Sequence, residues 1–535
     1  MPLPTDHGRK VRAVHRDRAV WFLIVVSAVI MCSRLVTVES PRGGTPLLSA
    51  NDRSRWSTIR ALVDQGTYAI DNVIFRPTGK RDPNWYTIDL VRHRGPDGRQ
   101  HYYSSKPTLL TTLFAAPYWF LHHAGGFSLA TKTFYVVRAT LLLGHVLPMV
   151  FFLILLSRFC DELAKTNWSK LFAVTAACFA TPLTTFAISL NNHLPAAVCV
   201  LVGTWAVLAI WNQTSPGLKL FVLAGFSAAM TAACELPGLS YLAIVGAILI
   251  WKAPAKTLLG FVPPVLLVGV GMLGTNYWAH GTWSTAYAHR NDGPLVATLP
   301  SVDTTLIRPG RIDSQLQQQL ATAGLSVSAD TTLSPRPLNR GYVLWNPTDQ
   351  QQYALAIDSG GIQVRQWNNW YEYEGSYWSS DKKQGVDRGE PSRVVYAFHV
   401  MVGHHGILSL TPIWLLSILG TIIWLMRGDA AERGLAATTI LLTLVSLSFF
   451  IVLRPVEDRN YGGVSCCFRW IVWLIPLWLL CLIPALDFIS RNPFLRKFAM
   501  LLLVISIFSA TYNNRNPWSH PWLFDYWTYL GWIKY

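Results

Sequence analysis

The sequence predicts an all-α polytopic membrane protein with about eleven membrane-spanning helices, interfacial helices and one small soluble domain on the outer face. Three observations lead there. Apolar runs, many near the roughly 20 residues needed to cross ~30 Å of hydrocarbon, recur from residue 19 to residue 512. Only 14% of the 535 positions are charged while 51% are hydrophobic, a charge content too low for a soluble chain of this length. Lysine and arginine, finally, collect at alternate ends of the apolar runs, as insertion with the positive side inward requires.

The first run, at 19–36, follows a basic arm that contains Arg9, Lys10, Arg12, Arg16 and Arg18. It has the look of a signal-peptide core, but no small-x-small cleavage site follows and Arg34 interrupts the expected boundary, so a retained helix is expected. Further spans are expected near 133–157, 169–188, 194–211, 217–234, 237–251, 254–277, 396–426, 434–453, 466–489 and 496–512. With the arm, 1–18, in the cytoplasm, every inner loop is basic: Arg158, Lys165 and Lys170; Lys219; Lys252 and Lys256; Arg427 and Arg433; Arg491, Arg496 and Lys497. The expected organisation is an N-terminal transmembrane module (19–277) with a long first outer loop (37–132), an outer domain (278–395), a C-terminal transmembrane module (396–512) and an outer aromatic tail (513–535). In an inner or plasma membrane that puts the C-terminus on the periplasmic or extracellular side.

The net charge of +16 is spread over short loops and the N-terminal arm, which points to anionic membrane lipids as the partner and away from nucleic acid. All eight cysteines fall in or beside apolar spans, which argues against a disulfide framework or a zinc site.

This topology sends the unusual polar segments to one face. They are Asn51-Asp52, Ser104-Ser105-Lys106-Pro107, Asn191-Asn192-His193, Cys234-Glu235, Asn276-Tyr277-Trp278, His404-His405-Gly406, and the stretch from Glu457 through Tyr461-Gly462-Gly463 to Arg469. Glu235, His193 and Arg469 sit at or just inside apolar spans, where an ionisable group is costly unless it pairs or faces a wet cavity. An outward-facing chemical site is the economical reading. Asp52 opens a helical pattern with Trp56, Ile59, Leu62 and Val63 on one face, closed by Gly66, and this reads as an amphipathic helix at the interface. As a plain alternative, Asp52 caps that helix. Lys106 precedes Pro107 and a shallow apolar helix at 107–121, where a cation meets lipid phosphate.

An acidic residue after the first helix, an interfacial helix containing Arg55-Trp56 and closed by a glycine, and Lys106-Pro107 opening an apolar segment together resemble the GT-C membrane glycosyltransferases. The resemblance is to the bacterial branch similar to protein mannosyltransferases and aminoarabinose transferases. Tyr461-Gly462-Gly463-Val464-Ser465, followed by Phe468-Arg469-Trp470, resembles a G-G-x-S-x-G-x-R segment found in some of them. The resemblance implies a GT-C fold, a polyprenyl-phosphate sugar donor and a glycan, lipid or protein acceptor. The family often carries two adjacent acidic residues where this chain has Asn51-Asp52, so a metal-binding acidic pair is not implied.

Sugar transfer from a lipid phosphate to a hydroxyl needs a carboxylate to take the acceptor's proton, and Asp52 is the candidate base. It also needs positive charge at the departing phosphate, for which Lys106, Arg469 and Arg55 are candidates. Arg469 has a plainer reading, a headgroup contact at a helix end. Asn192, His193, Glu235, His405 and Tyr461 are candidate cavity residues; a helix-breaking turn at His193 and capping of a broken helix by Glu235 are the alternatives. The chemistry admits a divalent cation, magnesium or manganese, with Asp52 and Glu235 as its candidate ligands. Trp367 to Glu374, within 278–395, interleaves aromatic faces with amides and acids, which suits sugar rings, but packing of a small domain onto the bilayer explains the same residues and is the favoured reading. The rival function is a transporter or flippase for a lipid-linked saccharide, which would also need a polar, partly basic cavity.

Overall fold

A computed structural model of the chain describes residues 18–41, 43–299, 307–336, 341–348, 351–358, 361–378 and 382–535. Arg9, Lys10, Arg12 and Arg16 of the basic arm, and the Glu457 side chain, lie outside the described residues. The described residues form two compact units: Met1–Gln65, Pro107–Thr275 and Gln384–Tyr535 make the first, Gly66–Lys106 and Asn276–Lys383 the second. The second unit therefore takes part of the loop that the sequence assigns to the N-terminal module.

Among the described residues, long apolar helices run at Arg18–Thr37, Thr133–Leu163, His193–Trp211, Pro254–His280, Ala430–Leu453, Arg469–Ile489 and Pro493–Tyr512. These seven are long and apolar enough to cross a bilayer, and the chain is an integral membrane protein. Leu218–Cys234, Gly238–Lys252 and Trp414–Arg427 are apolar but shorter. The helix Arg469–Ile489 is the most enclosed of the long ones, with 83% of its apolar window buried, so it lies within the bundle.

Two expected spans are broken. In place of one helix over 169–188 there is Asn167–Phe179, a single turn at Leu183–Phe186, and irregular chain up to His193. In place of 396–426 there are Arg393–Met401, Ile407–Leu410 and Trp414–Arg427. Gly403, Gly406 and Pro412 interrupt the helical ladder there, while the flanking Val, Ile and Leu keep the stretch apolar enough to pass for one span. Irregular backbone of this kind is tolerated at membrane depth where protein surrounds it.

The helix Ala50–Gln65 starts where the sequence places it, but its environment differs. Ser49, not Asp52, caps it: the Ser49 hydroxyl accepts the Asp52 N–H at 3.0 Å. Its polar residues Asn51, Asp52, Ser54, Arg55, Ser57 and Thr58 are buried together with Trp56 and Ile59. An interfacial helix would keep one wet face. Here the polar face is taken up by protein hydrogen bonds.

The second unit corrects the all-α expectation. It holds a two-stranded ribbon, Leu90–Arg94 with Gln100–Ser104, and a six-stranded antiparallel sheet. In spatial order the sheet strands are Leu295–Leu299, Gly361–Gln366, Gln351–Asp358, Tyr342–Asn346, Thr332–Pro335 and Gly310–Arg311. Leu333, Leu344, Tyr353, Leu355, Ile362 and Val364 are buried in one core with Leu316 and Leu320 of the helix Ser314–Thr322. Leu316 and Leu320 share a helix face because they are four residues apart. That helix starts at Asp313, whose carboxylate accepts the Gln315 N–H at 2.8 Å.

Candidate active site

Asp52 is 1% exposed, in the first turn of the helix Ala50–Gln65. Its carboxylate accepts two backbone N–H groups, Leu48 at 3.0 Å on Oδ2 and Leu190 at 3.2 Å on Oδ1. The second of these ties the helix to the irregular segment that follows the broken span. Burial pushes the Asp52 carboxyl up to about 6, against the downward pull of the two N–H groups and of Arg55 and Arg53.

Leu190 leads directly into the polar cluster. Asn191 is structural: its amide Nδ2 donates to the Phe186 and Ser189 carbonyls, and its Oδ1 accepts the Leu194 N–H, which caps the helix His193–Trp211. Asn192 connects two charges. Its Oδ1 accepts from Arg55 Nη2 at 2.7 Å, and its Nδ2 donates to Glu235 Oε1 at 2.8 Å. His193 then hydrogen-bonds Glu235 Oε1 through Nδ1 and meets Arg469 Nη1 at 3.1 Å through Nε2. Since a guanidinium can only donate, Nε2 is the acceptor and Nδ1 carries the hydrogen given to Glu235. A buried carboxylate thus holds an imidazole, which in turn holds a guanidinium.

Arg469 is fixed from two further sides. Its Nε donates to the Gly462 carbonyl at 2.5 Å, and its guanidinium carbon lies 5.0 Å from the centre of the Trp518 ring. Both contacts turn the guanidinium toward protein groups. The loop delivering Gly462 is conformationally specialised: Tyr461, Gly462 and Gly463 have φ of 58°, 92° and 75°.

Asp52, Arg55, Asn192, His193, Glu235 and Arg469 thus belong to one connected assembly, joined through backbone at Leu190. His405 and Tyr461 meet each other instead, their rings stacked at 4.9 Å. They lie in an aromatic and histidine cluster where His404 Nε2 and Tyr461 Oη approach the Tyr535 hydroxyl at 2.8 and 3.2 Å. Lys106 belongs to the second unit, where its ammonium pairs with the buried Asp89 carboxylate at 2.9 Å. That ion pair engages the charge that the sequence reading reserved for phosphate.

Sequence reasoning passes over Asp89 and His145 and reads Trp518 only as an interfacial anchor of the aromatic tail. His145 is fully buried in a π turn, Leu142–Val146, and its Nε2 meets the Asn191 backbone. A histidine inside a long apolar run was the available signal. Trp518 holds its Nε1 against the Ser189 hydroxyl at 2.6 Å, so the C-terminal tail supplies a wall of the site and is more than an interfacial anchor.

A divalent metal finds no ready cage. Both Asp52 oxygens are engaged by backbone N–H groups and Glu235 Oε1 by Asn192 and His193. Among the described residues no group of three or more His, Cys, Asp or Glu is placed to hold a metal ion.

No protein-family model and no curated protein matches the sequence. Solved structures similar to the chain include the oligosaccharyltransferase of Archaeoglobus fulgidus in complex with zinc and sulfate (TM-score 0.43, 14% identity, covering 95% of this chain and 55% of that one). AglB from the same organism, with an inhibitory peptide and a dolichol-phosphate, gives a TM-score of 0.43 at 12% identity, covering 95% of this chain and 57% of that one. The S. cerevisiae Pmt1-Pmt2 protein O-mannosyltransferase complex bound to its sugar donor gives 0.44 at 9% identity, covering 98% and 93%. The chain spans little more than half the length of the archaeal proteins. These neighbours are GT-C superfamily members. At such TM-scores and identities the likeness carries nothing about chemistry.

Proposed function

We propose that the protein is a membrane glycosyltransferase that moves a sugar from a polyprenyl-phosphate-linked donor to a hydroxyl of a lipid, glycan or protein acceptor on the non-cytoplasmic face. The observation that supports this most is the single scaffold carrying both a buried carboxylate and a fixed guanidinium. Asp52 is bound to Leu190, and two residues later Asn192 and His193 begin the hydrogen-bonded path to Arg469.

In this reading the acceptor oxygen attacks the anomeric carbon as Asp52 takes its proton, and a carboxylate with a pKa near 6 is matched to that task. The bond from the anomeric carbon to the phosphate oxygen breaks, and its electron pair leaves on the phosphate. Arg469 stabilises that charge in a site with little water, where a preorganised cation is worth most. Glu235 and His193 act through Arg469 by fixing its direction, and Arg55 steadies Asn192.

The test is transfer from a labelled polyprenyl-phosphate sugar in liposomes, beside binding of the same lipid. Asp52→Asn keeps the size of the side chain and removes its basicity, so transfer should fall by about 10² to 10⁴ while lipid binding persists. Full transfer by Asp52→Asn removes Asp52 as the base. Movement of the lipid across the bilayer with no transfer at all would make the protein a flippase.

A further inference from the structure

The second compact unit contains an open cleft of about 240 Å³ whose lining includes His93, Arg94, His280, Gln352, Trp367 and Trp370. Its walls are held by backbone. The Trp367 N–H donates to the Gln352 carbonyl at 3.0 Å, Arg92 N–H to Trp370 at 2.9 Å, and Trp370 N–H to His289 at 2.9 Å. His93 lies flat on Tyr103, with ring centres 4.1 Å apart and planes 4° from parallel, and packs against Trp370 at 4.1 Å.

The histidines have a readable hydrogen-bond direction. His93 Nδ1 is 2.9 Å from the Arg94 carbonyl, which can only accept, so Nδ1 carries the hydrogen. Burial pushes His93 down to about 4, so at neutral pH its Nε2 is a bare acceptor. The His280 Nδ1, 2.9 Å away, must then be the donor. A neutral His280 is left with a lone pair on Nε2. That atom is buried and has no partner among the described residues, on a side chain that lines the cleft and is 8% exposed. A buried acceptor left unmatched is costly, and an O–H donor would satisfy it.

We propose that this cleft binds a saccharide ring through its hydroxyl groups, as a site separate from the transfer chemistry. The inference goes beyond the glycosyltransferase reading and does not depend on it. Trp367 offers a flat apolar surface for the C–H face of a sugar. It is backed by the Arg336 guanidinium at 5.3 Å, itself fixed by Asp292 and Glu372. Gln352 and Gln366 bring amides that both donate and accept, and Arg94, 3.4 Å over the Trp345 ring, adds planar donors. No carboxylate lines the cleft, so recognition there falls to amides, aromatic faces and the Arg94 guanidinium.

The experiment uses the full chain in lipid nanodiscs, because a sugar-headed detergent would compete. Saturation-transfer NMR with the methyl glycosides of glucose, galactose and mannose should show saturable binding of at least one. Trp367→Ala and the shape-keeping His280→Phe should each weaken it about tenfold or more, and Trp367→Phe, which keeps a ring and guards against misfolding, should retain most of it. Excess inorganic phosphate should leave it unchanged. Absence of saturable binding for all three glycosides, equal binding by the variants, or displacement by phosphate would each overturn the proposal. None of these results bears on transfer, and full transfer by Asp52→Asn would sink the transfer reading without touching the cleft.

Discussion

The pKa of Asp52 has consequences in two directions. Raising it from 3.8 to about 6 means the folded chain binds a proton that the unfolded chain has already released between those pH values. The contribution to stability is therefore fully present below 3.8 and is lost as pH rises through about 6; two units correspond to about 3 kcal/mol. Stability favours the protonated form, and proton abstraction requires the other. Transfer should accordingly drop about tenfold per pH unit below 6, measured as a pH–rate profile at saturating donor, and a profile flat down to pH 4.5 would mean that Asp52 is not the base. Glu235 carries a second prediction. Glu235→Gln keeps the size and weakens the grip on His193 and hence on Arg469, so donor affinity should fall about 10- to 100-fold with a smaller change in the chemical step. An equal fall in the chemical step with donor affinity intact would refute this positioning role. His193, Glu235 and Arg469 stood out in the sequence because an ionisable group at the end of an apolar run is expensive and needs a reason, and Asp52 because it opens the amphipathic helix after the first run. The Lys106–Asp89 pair did not, since nothing in the sixteen intervening positions says which carboxylate a lysine will meet.

At the scale of elements, the breaks in the helices matter more than the helices. The irregular chain between Phe186 and His193 supplies the Leu190 N–H to Asp52 and the amide of Asn192, groups that a continuous helix would have spent on its own ladder. Apolar periodicity marks where a span begins and ends but averages over such interruptions, which is why 169–188 and 396–426 read as single spans. The loop Tyr461–Gly463 is the sharpest case. Gly462 has φ of 92°, and a Cβ there would lie 2.8 Å from Arg469 Cγ. Gly462→Ala should cost about 1–3 kcal/mol through backbone strain and push Arg469 off His193. The expected readouts are a lower melting temperature and weaker retention of the lipid phosphate. A variant that melts lower yet binds the donor normally would show that Arg469 tolerates displacement and is not the phosphate contact.

Over the whole molecule, composition and hydropathy were enough to recognise a membrane protein, because the bilayer imposes length and polarity on each crossing element. They did not show the six-stranded sheet. Its strands are short, Gln351–Asp358 being the longest at 8 residues, and the core they share is assembled from residues far apart in sequence. The orientation of the membrane helices is the remaining expectation, and it follows from loop charge alone: Lys252, Arg427, Arg433, Arg491 and Arg496 flank the ends taken as cytoplasmic. If that is right, exposed positions in the second unit face outward and the short basic loops face inward. Single cysteines at Arg99, Asp330, Ser215, Arg427 and Arg491, all exposed side chains, test it with a membrane-impermeant maleimide in intact cells. The eight native cysteines need subtraction with the parent protein, as Cys32, Cys199 and Cys467 are only partly buried. Arg99→Cys and Asp330→Cys should label at once, and Ser215→Cys, Arg427→Cys and Arg491→Cys only after permeabilisation. Immediate labelling of Arg427→Cys together with Arg99→Cys would break the alternation of sides. Labelling of the three loop positions alone would invert the protein, and the transfer site would then have to draw its donor from the cytoplasmic leaflet.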